Sequence, residues 1–127
     1  MWVWKFMSTI NQGEIWLVNF DPSIGSEIQK TRPAVVINDS NMGRLGINII
    51  VPITQYKDFF EQYPWIIKIE PDDINNLDKT SAFECFQIKS FSSKRFVKKI
   101  GEVSSQEIHK IHQTVAKTFN PTYEIKW

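Results

Sequence analysis

The sequence predicts a small, strongly bent antiparallel β-barrel with one helix packed on it at the end of the chain. Short apolar runs rich in β-branched and aromatic residues follow one another, and residues that favour turns separate them. Helical periodicity occurs only after residue 103, near the end of the chain. A parallel sheet is disfavoured because it would need long crossover helices between the runs.

The strands are predicted from six apolar runs. Gly, Pro, Asn and Asp recur between them, in the segments where the chain must reverse. We expect Cys85 to be a buried residue within the fifth of these strands. The predicted strands are residues 14 to 20, 33 to 38, 47 to 54, 65 to 70, 81 to 88 and 95 to 103.

The helix is predicted over residues 104 to 119. Ser104 followed three residues later by Glu107 matches a capping box, in which each side chain accepts a hydrogen bond from the other residue's backbone N–H. Pro121 marks the far end. Apolar residues at spacings of three and four form one face, namely Ile108, Ile111, Val115 and Phe119.

Length and composition indicate one globular domain. A chain of 127 residues is long enough for a single core and too short for two ordinary domains, so we expect one domain over residues 1–127. Residues 1–12 are a candidate N-terminal extension of it. Five Trp and nine Phe are many for this length, which favours an apolar interface and a homodimer.

Charge and cysteine content indicate how the protein can bind nucleic acid and in which compartment it is found. The net charge of +1 gives no overall attraction to nucleic acid, so any such binding must come from a local cluster. A single cysteine suits a reducing compartment, and no run reaches the ~20 apolar residues of a membrane helix. We therefore expect a soluble, cytoplasmic protein that is not bound to a membrane.

Several motifs occur in the order of a known family. Residues 13 to 38 combine a G-E-I-W strand start, a D-P turn, the G-S-E triplet at Gly25 to Glu27, and K-T-R-P leading into an apolar strand. V-P-I-T follows at 51 to 54, and FQIKSFSSKRFVKKIGEVS at 86 to 104 resembles the last strands. This pattern is similar to the MazF/PemK family of toxin endoribonucleases.

The resemblance implies an SH3-like antiparallel β-barrel with a C-terminal α-helix, as in MazF, Kid and CcdB. It also implies the toxin of a type II toxin–antitoxin system, which binds a cognate antitoxin. The implied activity is metal-independent, sequence-specific cleavage of single-stranded RNA, most readily mRNA, by 2′-OH transesterification. The products would be a 2′,3′-cyclic phosphate and a 5′-hydroxyl, and no cofactor is expected.

Arg32 and Thr54 match the family's catalytic pair. Arg32 suits stabilisation of a phosphorane, because its guanidinium stays charged and presents two parallel donors to phosphate oxygens. Pro33 restricts Arg32 to extended backbone and so limits where the guanidinium points. The alternative is a surface arginine paired with Glu14 or Glu27. Thr54 ends a strand, where its hydroxyl can donate to a phosphate oxygen or act simply as a turn residue.

The remaining candidates lie on loops and strand ends. Glu27 is a candidate proton acceptor or an orienter of Arg32, with a solvated loop carboxylate as the alternative. Aromatic residues between 55 and 64 either stack on bases or cover the end of the barrel. The basic run from Lys94 to Lys99 is either a solvated face or a guide for phosphates. Candidate RNA-binding residues are Ser26, Gln29, Lys30, Gln87 and Lys89.

Two other functions are alternatives to RNA cleavage. Some relatives carry an arginine and an aspartate for acid–base catalysis where this chain has Glu84 and Phe86, which leaves a degenerate interaction barrel as one alternative. The other is a non-enzymatic toxin that binds DNA gyrase, as CcdB does, since fold does not fix function. His109 and His112 lack the companions of a metal site, so we expect none.

Overall fold

In the computed structural model, which describes residues 10–21, 31–120 and 122, seven strands precede a single α-helix. Short 3-10 helices at Met42–Leu45, Asp58–Gln62 and Ser93–Arg95 interrupt the connections. The strands are β1 (Glu14–Asn19), β2 (Thr31–Val36), β3 (Ile47–Gln55), β4 (Ile66–Ile69), β5 (Ser81–Glu84), β6 (Lys89–Ser92) and β7 (Phe96–Glu102), and the helix is α1 (Ser105–Lys117).

All the strands join one antiparallel sheet in the order β4-β5-β3-β2-β1-β7, and β6 also pairs with β3. β3 is the longest strand, and it changes partner along its length. Its first half pairs with β6, its centre with β2 and its last three residues with β5. This change of partner bends the sheet into the predicted barrel-like shape, and the mainly β fold with a C-terminal helix is confirmed.

The barrel is open, because β4 and β7 are the two ends of the sheet and do not pair within the described residues. The loop between β4 and β5 covers this opening. Glu102 N donates to Ile74 O at 3.0 Å, and Asn76 Nδ2 donates to Ile100 O at 2.8 Å. The loop packs directly onto the backbone of β7.

The prediction of one strand over residues 81 to 88 is wrong. β5 ends at Glu84, where a turn forms in which Gln87 N donates to Glu84 O at 3.0 Å, and β6 starts at Lys89. The apolar run continues through this turn, which hides the break in the sequence pattern, although Phe86 is 63% exposed. Cys85 is buried as expected, but it lies in the turn and not in a strand.

The helix begins as predicted. Glu107 N donates to Ser104 Oγ at 3.1 Å, and Ser104 N donates to Glu107 Oε1 at 2.7 Å, which completes the capping box. Ile108, Ile111 and Val115 are buried against the sheet. Phe119 lies beyond the last helical residue and is 69% exposed, so its assignment to the apolar face is wrong.

Apolar side chains cover both faces of the central strands. The larger cluster lies between α1 and the sheet and includes Ile15, Val35, Val51 and Phe83. A second cluster lies on the opposite face and contains Ile10, Val18, Ala34, Val36 and Ile50, with Trp16, Phe20, Phe91 and Phe96 packed against it. In the described part of the chain, no helix has the length and apolar character needed to span a membrane.

Candidate active site

Arg32 and Thr54 come together across the two central strands. β2 and β3 are aligned so that Ala34 faces Pro52 and Val36 faces Ile50. The β2–β3 pairing ends there, and extending its register by two residues would set Arg32 opposite Thr54. At this point β3 has already turned toward β5 and pairs Thr54 with Ala82. The two candidates therefore lie where β2 and β3 separate, at the edge of a gap in the sheet.

Both side chains are on the face of the sheet that points away from α1. Successive residues of a strand alternate between faces, and Ala34 and Ile50 belong to the cluster on that face. Arg32 and Thr54 are an even number of residues from them and share their side. The same transverse row contains Val18 opposite Arg32, and Ala82 and then Lys68 beyond Thr54.

The Thr54 hydroxyl is in an unusual position for a structural residue. Its Oγ1 is buried and has no hydrogen-bond partner among the described residues. More than nine in ten buried polar groups in proteins are paired, and an unpaired hydroxyl costs about 1–3 kcal/mol. A turn or capping role would satisfy this atom, so the structure does not support that alternative. A ligand oxygen at the gap would supply the missing partner.

Arg32 is half-buried, and no carboxylate in the described part of the chain lies within ion-pair distance of it. The alternative pairing with Glu14 is wrong, because other groups occupy that carboxylate. Lys99 Nζ is 3.3 Å from Glu14 Oε2, and Glu14 Oε1 accepts hydrogen bonds from Trp16 Nε1 at 3.0 Å and Asn11 N at 2.8 Å. The guanidinium is thus not committed to Glu14.

Four predicted site residues, Ser26, Glu27, Gln29 and Lys30, lie outside the described residues. The strand residues next to this segment are described, and Arg95 holds one of its ends. The Arg95 guanidinium donates to Asn19 O at 3.1 Å and to Asp21 O, and it lies 4.9 Å from the Phe91 ring centroid.

Sequence reasoning missed this role of Arg95, which it placed in a basic run. The available signal was the scarcity of arginine, because only three of the fifteen basic residues are arginines. Asp21 Oδ1 is a second buried oxygen without a partner among the described residues. Arg95 therefore fixes the start of the β1–β2 loop, where Asp21 retains one carboxylate oxygen without a partner among the described residues.

The rest of the basic run is not a continuous cationic surface. Lys99 forms ion pairs with Glu14 and Glu102, and the hydrogen bond that its ammonium donates to Glu102 is the main cause of its raised pKa. Lys94 and Lys98 are exposed. Any attraction for phosphates from this strand thus comes from two separate lysines.

Gln87 and Lys89 lie away from the Arg32–Thr54 row. Lys89 pairs with Ile50, four residues along β3 from Thr54, which corresponds to about 13 Å of strand. Gln87 is exposed in the turn after β5, and its Nε2 donates to Glu84 Oε1 at 3.4 Å. Within one chain, contact with these residues requires a substrate several nucleotides long.

Other reactive groups are unsuited to catalysis at this gap. Burial raises the pKa of the Cys85 thiol to about 12, so the nucleophilic thiolate is scarce at neutral pH. His112 Nε2 is hydrogen-bonded to Ile37 O at 2.7 Å, and His109 is exposed on the helix. Among the described residues, no group of three or more His, Cys, Asp and Glu could hold a metal ion.

Comparison with known proteins shows the family of the chain. Residues 11–119 match the model of the family described as PemK-like, MazF-like toxin of type II toxin-antitoxin system. The chain belongs to this family. It is 28% identical over 110 residues to endoribonuclease MazF9 of Mycobacterium tuberculosis, an alignment that covers 84% of this chain and 92% of that protein. It is 28% identical over 88 residues to endoribonuclease PemK of Escherichia coli, covering 68% of this chain and 64% of PemK.

Solved structures of the family share the fold. MazF from Deinococcus radiodurans superposes with a TM-score of 0.69 at 17% identity, covering 87% of this chain and 96% of that one. A mycobacterial endoribonuclease in complex with its cognate antitoxin gives a TM-score of 0.70 at 15% identity, covering 90% and 98%. At these identities the likeness supports the fold of this MazF/PemK-like toxin, and its activity must be argued from the site.

Proposed function

We propose that this MazF/PemK-like toxin is an endoribonuclease that cleaves single-stranded RNA where β2 and β3 separate. The observation that carries the proposal is the Thr54 hydroxyl, which is buried and has no partner among the described residues, on the face of the sheet that Arg32 shares. The names of the relatives, which are endoribonucleases, point to the same reaction.

The proposed reaction begins with attack of the RNA 2′-OH on the adjacent phosphorus. Arg32 stabilises the negative charge that develops on the phosphorane oxygens, because its two parallel N–H donors match two of them. Thr54 donates its hydroxyl to one of these oxygens. Glu27 accepts the proton of the 2′-OH. The 5′-oxygen takes a proton from water as its bond to phosphorus breaks, which leaves a 2′,3′-cyclic phosphate and a 5′-hydroxyl. The reaction as proposed is independent of a metal ion.

The proposed RNA cleavage also implies a substrate and partners for this protein. We propose that mRNA is the main substrate and that base preference arises from contacts to Ser26, Gln29, Lys30, Gln87 and Lys89. A cognate antitoxin blocks the site, and the toxin acts in the cytoplasm. We further propose a homodimer, because exposed apolar residues gather at the β2–β3 connection, where Met42, Leu45 and Ile47 are 65%, 85% and 56% exposed.

The test is cleavage of a long single-stranded RNA in EDTA by the wild type and by Arg32→Ala and Arg32→Lys. Lys110→Ala is the matched control, since Lys110 is an exposed cation on α1, away from the gap. We expect discrete cuts with 5′-hydroxyl ends from the wild type and the control. Arg32→Ala should lower the rate about 10²- to 10³-fold. Arg32→Lys should remain well below the wild type, because lysine keeps the charge and loses the fork.

Two outcomes would contradict the proposal. If the folded wild type leaves RNA intact, the gyrase-binding and interaction-barrel alternatives gain support, and gyrase pull-down would separate them. If Arg32→Ala cleaves as fast as the Lys110→Ala control, the reaction does not depend on the Arg32–Thr54 gap.

A further inference from the structure

A line of aromatic rings begins next to Thr54. Because β5 lies between β3 and β4 in the sheet, residues 56–65 must cross over β5 to join the end of β3 to the start of β4. This crossover carries five of the rings, and Phe86 extends the line. The six rings, which we call the aromatic track, are Tyr56, Phe59, Phe60, Tyr63, Trp65 and Phe86.

The crossover starts on the face that holds Arg32 and Thr54, and it ends next to α1, which packs on the other face. Lys68, on the same transverse row as Thr54, places its Nζ 4.8 Å from the centroid of the Tyr56 ring. Ala82, between Thr54 and Lys68 in that row, is fully buried, as a residue beneath the crossover should be. The first ring of the track is thus two residues from Thr54 and on its side of the sheet.

The rings are in continuous contact. Successive centroids are separated by 5.9 Å for Tyr56–Phe60, 6.4 Å for Phe60–Tyr63 and 4.9 Å for Tyr63–Trp65, where the two rings are stacked. Phe86 continues the line 5.9 Å from Trp65. Neighbouring rings hold one another in place, so the track offers a preorganised surface.

Burial of the core does not account for this surface. Phe59 is 53% exposed and Phe86 is 63% exposed, and the other four rings are partly exposed. At the far end, Trp65 and Phe86 border a groove of about 270 Å³, whose wall also includes Lys117 of α1. A groove of this size suits one planar group better than a helix or a strand.

We propose that the aromatic track binds the bases of the RNA strand whose scissile phosphate lies at Arg32 and Thr54. This inference rests on the proposed function. Aromatic side chains stack on bases of any sequence, and such stacking is a common way to hold single strands. The continuity of the track with Thr54 favours RNA as its occupant over a protein segment.

Charge contributes less than stacking on this surface. Lys68 and Lys117 lie at the two ends, but Asp58 and Glu61 are on the same crossover. Lys57 on the crossover is exposed too, so the acidic residues offset only part of the attraction of the lysines for phosphates. Loss of a ring should therefore weaken RNA binding without changing the slope of its salt dependence, which counts the phosphates neutralised.

The test measures binding of a fluorescein-labelled, 2′-O-methylated single-stranded RNA by fluorescence anisotropy at several salt concentrations. The oligonucleotide carries a mapped cleavage sequence and cannot be cleaved, because it lacks the free 2′-OH. The variants are Phe59→Leu and Phe86→Leu, which remain apolar but lose the ring, and Phe86→Trp, which retains a ring. Phe119→Leu is the control, since Phe119 is similarly exposed and lies outside the track.

We expect each Leu variant to raise the Kd about tenfold, with an unchanged salt slope and a native circular dichroism spectrum. Phe86→Trp and Phe119→Leu should bind as the wild type does. If both Leu variants bind RNA with wild-type Kd while the wild type still cleaves RNA, the track proposal is overturned and a protein partner becomes its occupant. If the wild type neither binds nor cleaves RNA, the proposed function itself fails.

Discussion

Replacing Thr54 with valine should make the protein more stable and nearly inactive. Valine has the shape of threonine with a methyl group in place of the hydroxyl, so the packing around residue 54 changes little. The native Oγ1 is buried and unpaired among the described residues. Removing this hydroxyl relieves a desolvation penalty of about 1–3 kcal/mol, and no other group loses a hydrogen bond. The same replacement at a hydrogen-bonded structural hydroxyl would instead lower the stability of the protein.

The burial and the proposed role of the hydroxyl set the size of the rise in Tm and of the fall in kcat. A gain of about 1 kcal/mol corresponds to a rise in Tm of roughly 3–5 °C for a domain of this size. Loss of one donor to the phosphorane should lower kcat about 10²- to 10³-fold. Stability gained by removing a functional group is typical of active sites, where an unsatisfied group waits for its substrate.

The assay pairs thermal unfolding with cleavage of a fluorogenic RNA at one protein concentration, because association would make Tm depend on concentration. Ser81→Ala is the control. The Ser81 hydroxyl is also buried on β5, but it donates to Lys79 O at 2.8 Å and lies on the helix side of the sheet. Ser81→Ala should lower Tm and leave kcat unchanged. A Thr54→Val protein that is less stable than the wild type and fully active would refute the reasoning.

Three further predictions follow from the structure. Gly101→Ala should destabilise the protein by several kcal/mol, measured by urea unfolding, because a Cβ at this position would collide with the backbone carbonyl of Asn75 and displace the loop that covers the barrel opening. Cys85 should resist alkylation by iodoacetamide at pH 8 in the native protein, since burial raises its pKa to about 12, and should react once urea unfolds the chain; equal rates in both states would contradict this. Arg95→Ala should raise KM for RNA more than it lowers kcat, because it frees the start of the β1–β2 loop, and Arg95→Lys should restore only part of the loss.

The alkaline pH dependence of stability has a definite sign. The folded-state pKa of Cys85 lies above its usual value of 9.0, so the unfolded chain loses this proton first as pH rises. Folding stability should therefore fall between about pH 9 and 12, by up to about 1.4 kcal/mol per pH unit from this group. Cys85→Ala should show a smaller fall than the wild type in urea unfolding measured across this range.

The sequence alone determined the elements whose signals are local. The capping box at Ser104 and Glu107 and the apolar spacing of Ile108, Ile111 and Val115 depend on residues within one or two turns, and the helix begins where they predict. The short runs of apolar, β-branched and aromatic residues at β1 to β3 likewise predicted strands. The motif around Arg32 indicated the family, which the match of residues 11–119 to the family model confirms.

Only the tertiary structure decided how these elements meet. The hydrophobic pattern of the sequence does not reveal the break between β5 and β6, because the turn at Cys85 and Phe86 is as apolar as the strands beside it. The partner of Glu14 is Lys99 and not Arg32, since strand register sets which charges lie within reach. The gap at Arg32 and Thr54, the unpaired hydroxyl and the aromatic track all result from β3 changing partners, a long-range pairing that no local stretch of sequence encodes.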